Sequence, residues 1–130
     1  MLAKNNDIQE KARAEAKQVL HRADPTYEDI AHLNYITAVI REAMRILPPL
    51  LGFSRQAVED CVVSGYHVPK GTMFSMLSVV LHNSAEFYDE PEKFKPERWL
   101  KENENEKSNN NAAPWYPFGA GKYSMTKVKI

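Results

Sequence analysis

The first third of the chain shows the spacing of apolar side chains that is typical of helices. Asp7 to His21 places apolar residues at a period of about 3.6 behind a capping residue, Asn6, which predicts an amphipathic helix. Thr26 followed by Asp29 has the spacing of a capping box. It predicts a short helical turn that continues through Leu33.

A longer helix is predicted next. Its apolar residues recur on one face, while its charged residues lie on the others. The apolar face consists of Ile36, Val39, Ile40, Ala43 and Leu47. Pro48-Pro49 ends the helix, because proline lacks an amide donor and clashes with the preceding turn.

After Phe53 the apolar residues alternate with polar ones, as they do in strands. Two short runs, Cys61–Val63 and Tyr66–Val68, are separated by the turn residues Ser64-Gly65, which predicts a small antiparallel sheet. Thr72 to Leu81 is apolar and rich in β-branched residues and methionine, and it could be a strand that passes into a helix. Periodicity does not settle where that boundary lies.

The last part of the chain carries few of these patterns. Asp89 to Leu100 contains Pro91 and Pro96 among spaced aromatic residues, which indicates an irregular segment. Lys101 to Ala113 is charged and rich in asparagine, which is typical of a solvated loop.

Composition and charge exclude several classes of function. With 17 Lys plus Arg and 17 Asp plus Glu, the formal charge is zero, and no basic run could follow a phosphate backbone. Nucleic acid is therefore not expected as a partner. The apolar runs are too short for a transmembrane segment. The single cysteine, Cys61, excludes an internal disulfide, and the four histidines lack a metal-ligand spacing.

One charged pair on the long helix, Glu42-x-x-Arg45, has the spacing at which a carboxylate meets a guanidinium. Taken alone it fits a surface ion pair, which contributes about 0.3–0.5 kcal/mol. Its setting changes this interpretation. The residues from His32 to Pro49 closely resemble the K helix of cytochromes P450.

Further motifs of that family follow in the family's order. Gly65 to Thr72 is similar to its Y-x-I-P-K-G-T hairpin, and His82 and Tyr88 to Pro91 come next. Phe94 to Trp99 is similar to its F-x-P-E-R-F/W segment, and Asn5 to Leu20 resembles its J helix. By these motifs the chain is identified as a member of the cytochrome P450 family.

The resemblance implies a fold and a division of the chain. The expected class is an α+β fragment of the mainly α cytochrome P450 fold, with two to four helices, a small antiparallel sheet and a long irregular C-terminal segment. Residues 1–50 would hold the J to K helices and residues 51–81 the small sheet region. Residues 82–130 would hold the meander, the Asn-rich loop and a degenerate haem loop.

The resemblance also implies roles for three charged residues and one further arginine. In the family, the residues matching Glu42, Arg45 and Arg98 form a buried triad that is structural and not catalytic. Arginine suits this role because its planar fork binds a carboxylate through two hydrogen bonds and still donates to carbonyls. Arg55 matches an arginine that contacts a haem propionate, although an ordinary surface strand end fits it equally well.

The family's haem signature, F-x-x-G-x-R-x-C-x-G, aligns with the residues from Phe118 onward. Phe118 and Gly121 match it and would contact the cofactor, but Tyr123 stands at the arginine position and Lys127 at the closing glycine. Met125 occupies the position of the axial cysteine. A thiolate pushes electron density toward iron and favours O–O cleavage, which a neutral thioether does not. No metal ligand is therefore assigned.

By descent the chain would belong to haem- and iron-dependent monooxygenases, which reduce dioxygen and oxidise small organic substrates with electrons from a reductase. We expect this chain to be truncated and to lack that activity. The alternatives are a non-enzymatic haem-binding or interaction fragment, and a non-functional product of a frameshift, intron read-through or early stop. Complete eukaryotic members are usually anchored to the endoplasmic reticulum membrane, and the chain shows no such anchor.

Two further expectations concern side chains outside the motifs. Cys61 could be proposed as a substitute thiolate, but its place among valines favours a buried, inert thiol. In the family, the apolar face of the long helix packs against helices that this sequence does not contain. Ile36, Val39, Ile40 and Leu47 are therefore expected to form an exposed apolar patch.

Overall fold

The computed structural model describes residues 1–20, 24–100 and 114–119. Four α-helices lie within these ranges, preceded by a 3₁₀ turn at Leu2–Lys4 and followed by another at Pro96–Trp99. The helices are α1 Asn6–Val19, α2 Tyr27–Ala31, α3 Asn34–Ile46 and α4 Ser78–His82.

Four short strands lie between α3 and α4. They are β1 Phe53–Gln56, β2 Cys61–Val63, β3 Tyr66–Val68 and β4 Met73–Met76. β2 pairs antiparallel with β3, and β1 pairs antiparallel with β4, so one two-stranded sheet is nested within the other along the chain. The expected α+β class with a small antiparallel sheet is confirmed.

Local sequence signals account for most of these boundaries. The capping box is present, since the Asp29 amide donates to Thr26 Oγ1 and the Thr26 amide donates to Asp29 Oδ2. α2 ends at Ala31, however, before the predicted Leu33. Asn6 is the first residue of α1 and not its cap, because Asn5 occupies the cap position.

The structure shows where the strand in the segment from Thr72 to Leu81 ends and the helix begins. Met73–Met76 is a strand because it pairs with β1, and α4 begins after Leu77. α4 ends at His82, inside the range expected for the meander. The chain can pass close to β4 because Gly52 has no side chain: a Cβ there would lie 2.3 Å from the Met76 carbonyl oxygen.

The interior is unusual in being polar at its centre. Among the described residues, the buried apolar side chains are few and mostly small, whereas the largest fully buried side chains include two charged residues and a histidine. In order of size these are Arg45, His82, Glu42 and Pro96. The fold is thus organised around hydrogen-bonded polar groups rather than around a large apolar core.

The expected exposed patch on α3 is wrong for half of its members. Val39 is buried and Ile36 is half-buried, because α1 packs against α3. Ile40 and Leu47 are exposed, at 48% and 68%. Among the helices that the structure describes, none has the length and apolar character needed to cross a membrane.

Candidate functional site: a buried carboxylate and the segment that precedes the haem motif

The Glu42 carboxylate on α3 is fully buried. From residues in the described ranges it accepts five hydrogen bonds. Oε1 accepts from Arg45 Nη2 at 2.9 Å, from the Lys95 amide at 3.0 Å and from Arg98 Nε at 3.0 Å. Oε2 accepts from Arg45 Nε at 2.9 Å and from Trp99 Nε1 at 2.8 Å. The charge is therefore compensated on both oxygens.

Arg45 is also fully buried and connects Glu42 to three carbonyl groups. Its Nη1 donates to the His82 carbonyl at 2.7 Å. Its Nη2 donates to the Pro91 carbonyl at 2.8 Å and to the Lys93 carbonyl at 3.2 Å. One guanidinium therefore ties α3 to the end of α4 and to the segment before the second 3₁₀ turn.

Arg98 completes the group of charged residues expected from the sequence. Its Nε bonds to Glu42, and its Nη2 donates to the Asp89 carbonyl at 3.1 Å. The structure thus brings both Arg45 and Arg98 into contact with Glu42, although the two arginines lie 53 positions apart in sequence.

The electrostatics of this cluster favour the ionised form of the Glu42 carboxylate. Burial alone raises the pKa of Glu42, but hydrogen bonds from Arg45, the Lys95 amide and Trp99 outweigh it, so the pKa lies below its ordinary value. Both oxygens are engaged by donors, which leaves no open face toward a reacting molecule. The arrangement is suited to holding structure and not to general acid or base catalysis.

A second Glu-x-x-Arg pair in the chain shows how little the spacing alone means. Glu10 and Arg13 on α1 form an ion pair at 2.8 Å with the same spacing, but both side chains are more than half exposed. Glu42 and Arg45 are both fully enclosed. Burial and the donors from distant segments distinguish the two pairs.

Sequence reasoning missed the part played by aromatic residues around the cluster. The Tyr88 ring lies 5.0 Å from Arg45 Cζ and 5.9 Å from Arg98 Cζ, within cation–π distance of both. Trp99 donates to Glu42 and contacts Tyr88, with ring centres 6.4 Å apart. Both residues lie in the family-like motifs, so the motifs marked their positions but not their contacts.

A second polar network joins α1 to α3. Glu15 on α1 accepts from the Tyr35 amide at 2.7 Å and from the Ile36 amide at 2.8 Å, so it caps the first turn of α3 from a different helix. Glu97 accepts from the Tyr35 hydroxyl and from Lys11, both at 3.1 Å. These contacts fix the orientation of α3.

The segment 114–119 leads into the residues that resemble the haem motif. Phe118 is half-buried, and Gly119 has a φ of +81°. A Cβ on Gly119 would lie 3.7 Å from Phe53 Cδ1, which places this segment against β1. Arg55 is exposed on β1, with its guanidinium 5.3 Å from the Phe53 ring centre and Nη1 donating to the Ser54 carbonyl.

These residues fit part of a haem site. Arg55 is an exposed cation on the strand that meets the start of the motif. Its guanidinium is suited to binding a carboxylate such as a haem propionate. Gly121 and Met125 lie outside the described residues. A thioether at the axial position does not fit a haem-thiolate centre, and Cys61 is in β2, opposite Val68. Within the described ranges, no group of three or more His, Cys, Asp or Glu side chains could hold a metal ion.

Comparison with known proteins identifies relatives over nearly the whole chain. The family model for cytochrome P450 matches residues 1–124 and so stops just before Met125. Cytochrome P450 3A7 from Homo sapiens is 36% identical over 92% of this chain, and cytochrome P450 CYP12A2 from Musca domestica is 39% identical over 99% of it. The chain spans only 24% and 26% of the lengths of these two proteins.

A solved structure shows the same arrangement in three dimensions. Retinoic acid bound cyanobacterial CYP120A1 is similar with a TM-score of 0.80 and 32% sequence identity, over 92% of this chain and 27% of that one. The fold and the sequence matches agree with one another. The chain therefore belongs to the cytochrome P450 family, which is haem-dependent.

Proposed function

We propose that the described part of this chain is the structural core that supports the haem loop of a cytochrome P450. Full burial of the Glu42 carboxylate under five donors carries this proposal. The donors come from α3 itself and from the segment Lys95–Trp99. Glu42, Arg45 and Arg98 accordingly act as structural residues and do not touch a substrate.

The three ranges inferred from the sequence describe how this core is divided. The proposed division puts the J to K helices in residues 1–50, the small sheet region in residues 51–81, and the meander, the Asn-rich loop and the haem-like loop in residues 82–130. Among the described residues, α1 to α3 lie in the first range and the four strands in the second. The first and third ranges meet at the Glu42 cluster. In the second range, Arg55 lies next to the Phe53 ring, and Gly119 of the third range packs against the same ring.

The activity of complete family members is monooxygenation of a small organic substrate, with a reductase as the electron donor. For the chain as encoded we propose no haem-thiolate monooxygenase activity, since Met125 stands where the thiolate belongs. The alternative of a non-enzymatic haem-binding chain is favoured by one observation. Arg55 and the start of the haem-like loop are brought together around Phe53.

The test is the absorption spectrum of the purified chain after addition of haem, reduction and exposure to carbon monoxide. We expect no thiolate-type band, and we expect the Cys61→Ser variant to give the same spectrum as the unmodified chain. A thiolate-type band that disappears in Cys61→Ser would overturn the proposal, because it would identify Cys61 as the ligand.

The supporting role of Arg55 is tested by haem titration, followed by quenching of tryptophan fluorescence. Arg55→Gln should weaken haem binding, whereas Arg13→Gln, which removes an exposed arginine on α1, should not. Equal binding by both variants would contradict a propionate contact from Arg55.

A further inference from the structure

The segment Pro114–Tyr116 is held at each of its three residues. The Tyr88 hydroxyl donates to the Pro114 carbonyl at 2.8 Å. The Trp115 ring packs on Trp99 with ring centres 5.6 Å apart. The Tyr116 amide donates to His82 Nε2 at 2.8 Å. These three contacts fix the backbone that leads through Pro117 to Phe118 and Gly119.

His82 contacts both the Glu42 cluster and the segment Pro114–Tyr116, through different groups. Its carbonyl accepts from Arg45, and its imidazole accepts from the Tyr116 amide. The side chain is fully buried. It therefore links the Glu42 cluster directly to the segment that precedes the haem motif.

The contact with Tyr116 also determines which imidazole nitrogen carries the proton. Because Nε2 accepts a hydrogen bond, it must be unprotonated, and the proton of the neutral ring lies on Nδ1. Nδ1 is buried and has no partner among the described residues. A proton on Nε2 would instead face the Tyr116 N–H, so two donors would oppose each other.

Tyr88 makes the matching contact at the other end of the segment. Its ring is buried and lies within cation–π distance of Arg45 and Arg98, and this packing directs its hydroxyl. The hydroxyl donates to Pro114. Both hydrogen bonds to the segment therefore involve residues that also contact the charged cluster.

We propose that His82 and Tyr88 are positioning residues that hold Pro114–Tyr116, and with it the start of the haem-like loop, against the Glu42 cluster. The hydrogen bonds define the hold itself. Its importance for the haem-like loop rests on the function proposed above. The segment is thereby fixed by an acceptor at His82 and a donor at Tyr88.

Hydrogen exchange of the Tyr116 amide, measured by NMR on the full chain, tests this directly. His82→Leu removes the acceptor and should accelerate this exchange about tenfold or more. His82→Gln should restore most of the protection, because a glutamine oxygen can occupy the Nε2 position. His32→Leu, which changes an exposed histidine, should leave the exchange unchanged.

A second variant covers the case in which His82→Leu does not fold. Tyr88→Phe removes one hydroxyl and keeps the buried ring, so it should raise exchange at Tyr116 while the α3 amides of Ala38 and Val39 stay protected. Tyr27→Phe, at an exposed tyrosine, is its control. Nitrogen-15 NMR of the imidazole should show His82 protonated at Nδ1 and not at Nε2.

Either of two results would overturn the proposal. One is a His82 ring protonated at Nε2 in the unmodified chain. The other is Tyr116 exchange that is unaffected by both Tyr88→Phe and a folded His82→Leu. Haem titration of the same samples is read separately. If haem binding is lost while the Tyr116 amide stays protected, the proposed function is contradicted. If protection of the Tyr116 amide does not depend on His82 and Tyr88, the positioning role is contradicted.

Discussion

Replacing Glu42 with glutamine removes the charge at the centre of the fold while keeping the shape of the side chain. An amide nitrogen at the Oε2 position would face Arg45 Nε and Trp99 Nε1, which are both donors. Two hydrogen bonds to a charged group are then lost, at about 1.5–3 kcal/mol each. Arg45, which is fully buried, is left without its counter-charge.

Breaking a buried ion pair from one side costs about 3–5 kcal/mol, in agreement with this sum. We therefore expect Glu42→Gln to lower the free energy of unfolding by roughly 3–5 kcal/mol, against a total of about 5–15 kcal/mol for a domain. Equilibrium unfolding in urea, followed by circular dichroism, measures the difference.

The chain supplies its own matched control. Glu10→Gln breaks the exposed Glu10–Arg13 pair, which has the same spacing, and should change stability by no more than about 0.5 kcal/mol. If the two variants lose the same small amount, the buried cluster does not stabilise the fold and the reasoning from burial fails.

Three further variants or conditions test other contacts. Arg98→Lys keeps the charge but loses the planar fork, and should cost about 1–3 kcal/mol in the same urea assay; an unchanged midpoint would contradict this. Glu15→Gln removes the charge that caps α3 and should lower stability by about 1–2 kcal/mol in a thermal melt. An unchanged melting temperature would show that the cap is dispensable. Burial and the Arg45 charge lower the pKa of His82. The stabilisation that the neutral His82 ring gives the fold should therefore be complete above about pH 6.5 and be lost as the pH falls through the lowered pKa. The stability of His82→Gln should lack that slope between pH 7 and pH 5, and an identical slope would assign it to other groups.

Elements defined by short-range signals were predictable from the sequence. The Thr26–Asp29 capping box and the turn at Ser64-Gly65 involve only neighbouring residues, and Ser64 and Gly65 both take positive φ values, as a tight hairpin turn requires. The boundary between β4 and α4 was not predictable. It is set by pairing of β4 with β1 and by hydrogen bonds from Ser78 Oγ to the carbonyls of residues 50 and 51.

The candidate site shows the same division between local and distant information. The spacing of Glu42 and Arg45 is shared by Glu10 and Arg13, so spacing could not show which pair is buried. Resemblance to a family supplied the connection to Arg98. Neither source indicated that His82 accepts from the Tyr116 amide, because that contact joins residues 34 positions apart and involves a backbone group.

The polar centre of the fold has a consequence for when this region can fold during synthesis of the chain. The donors to Glu42 from the Lys95 amide, Arg98 and Trp99 lie 53, 56 and 57 positions later in the sequence. As α3 leaves the ribosome, its polar face can be satisfied only by Arg45 and water. The helix can be enclosed only after translation has passed Trp99, so this region is expected to fold late and in a single step.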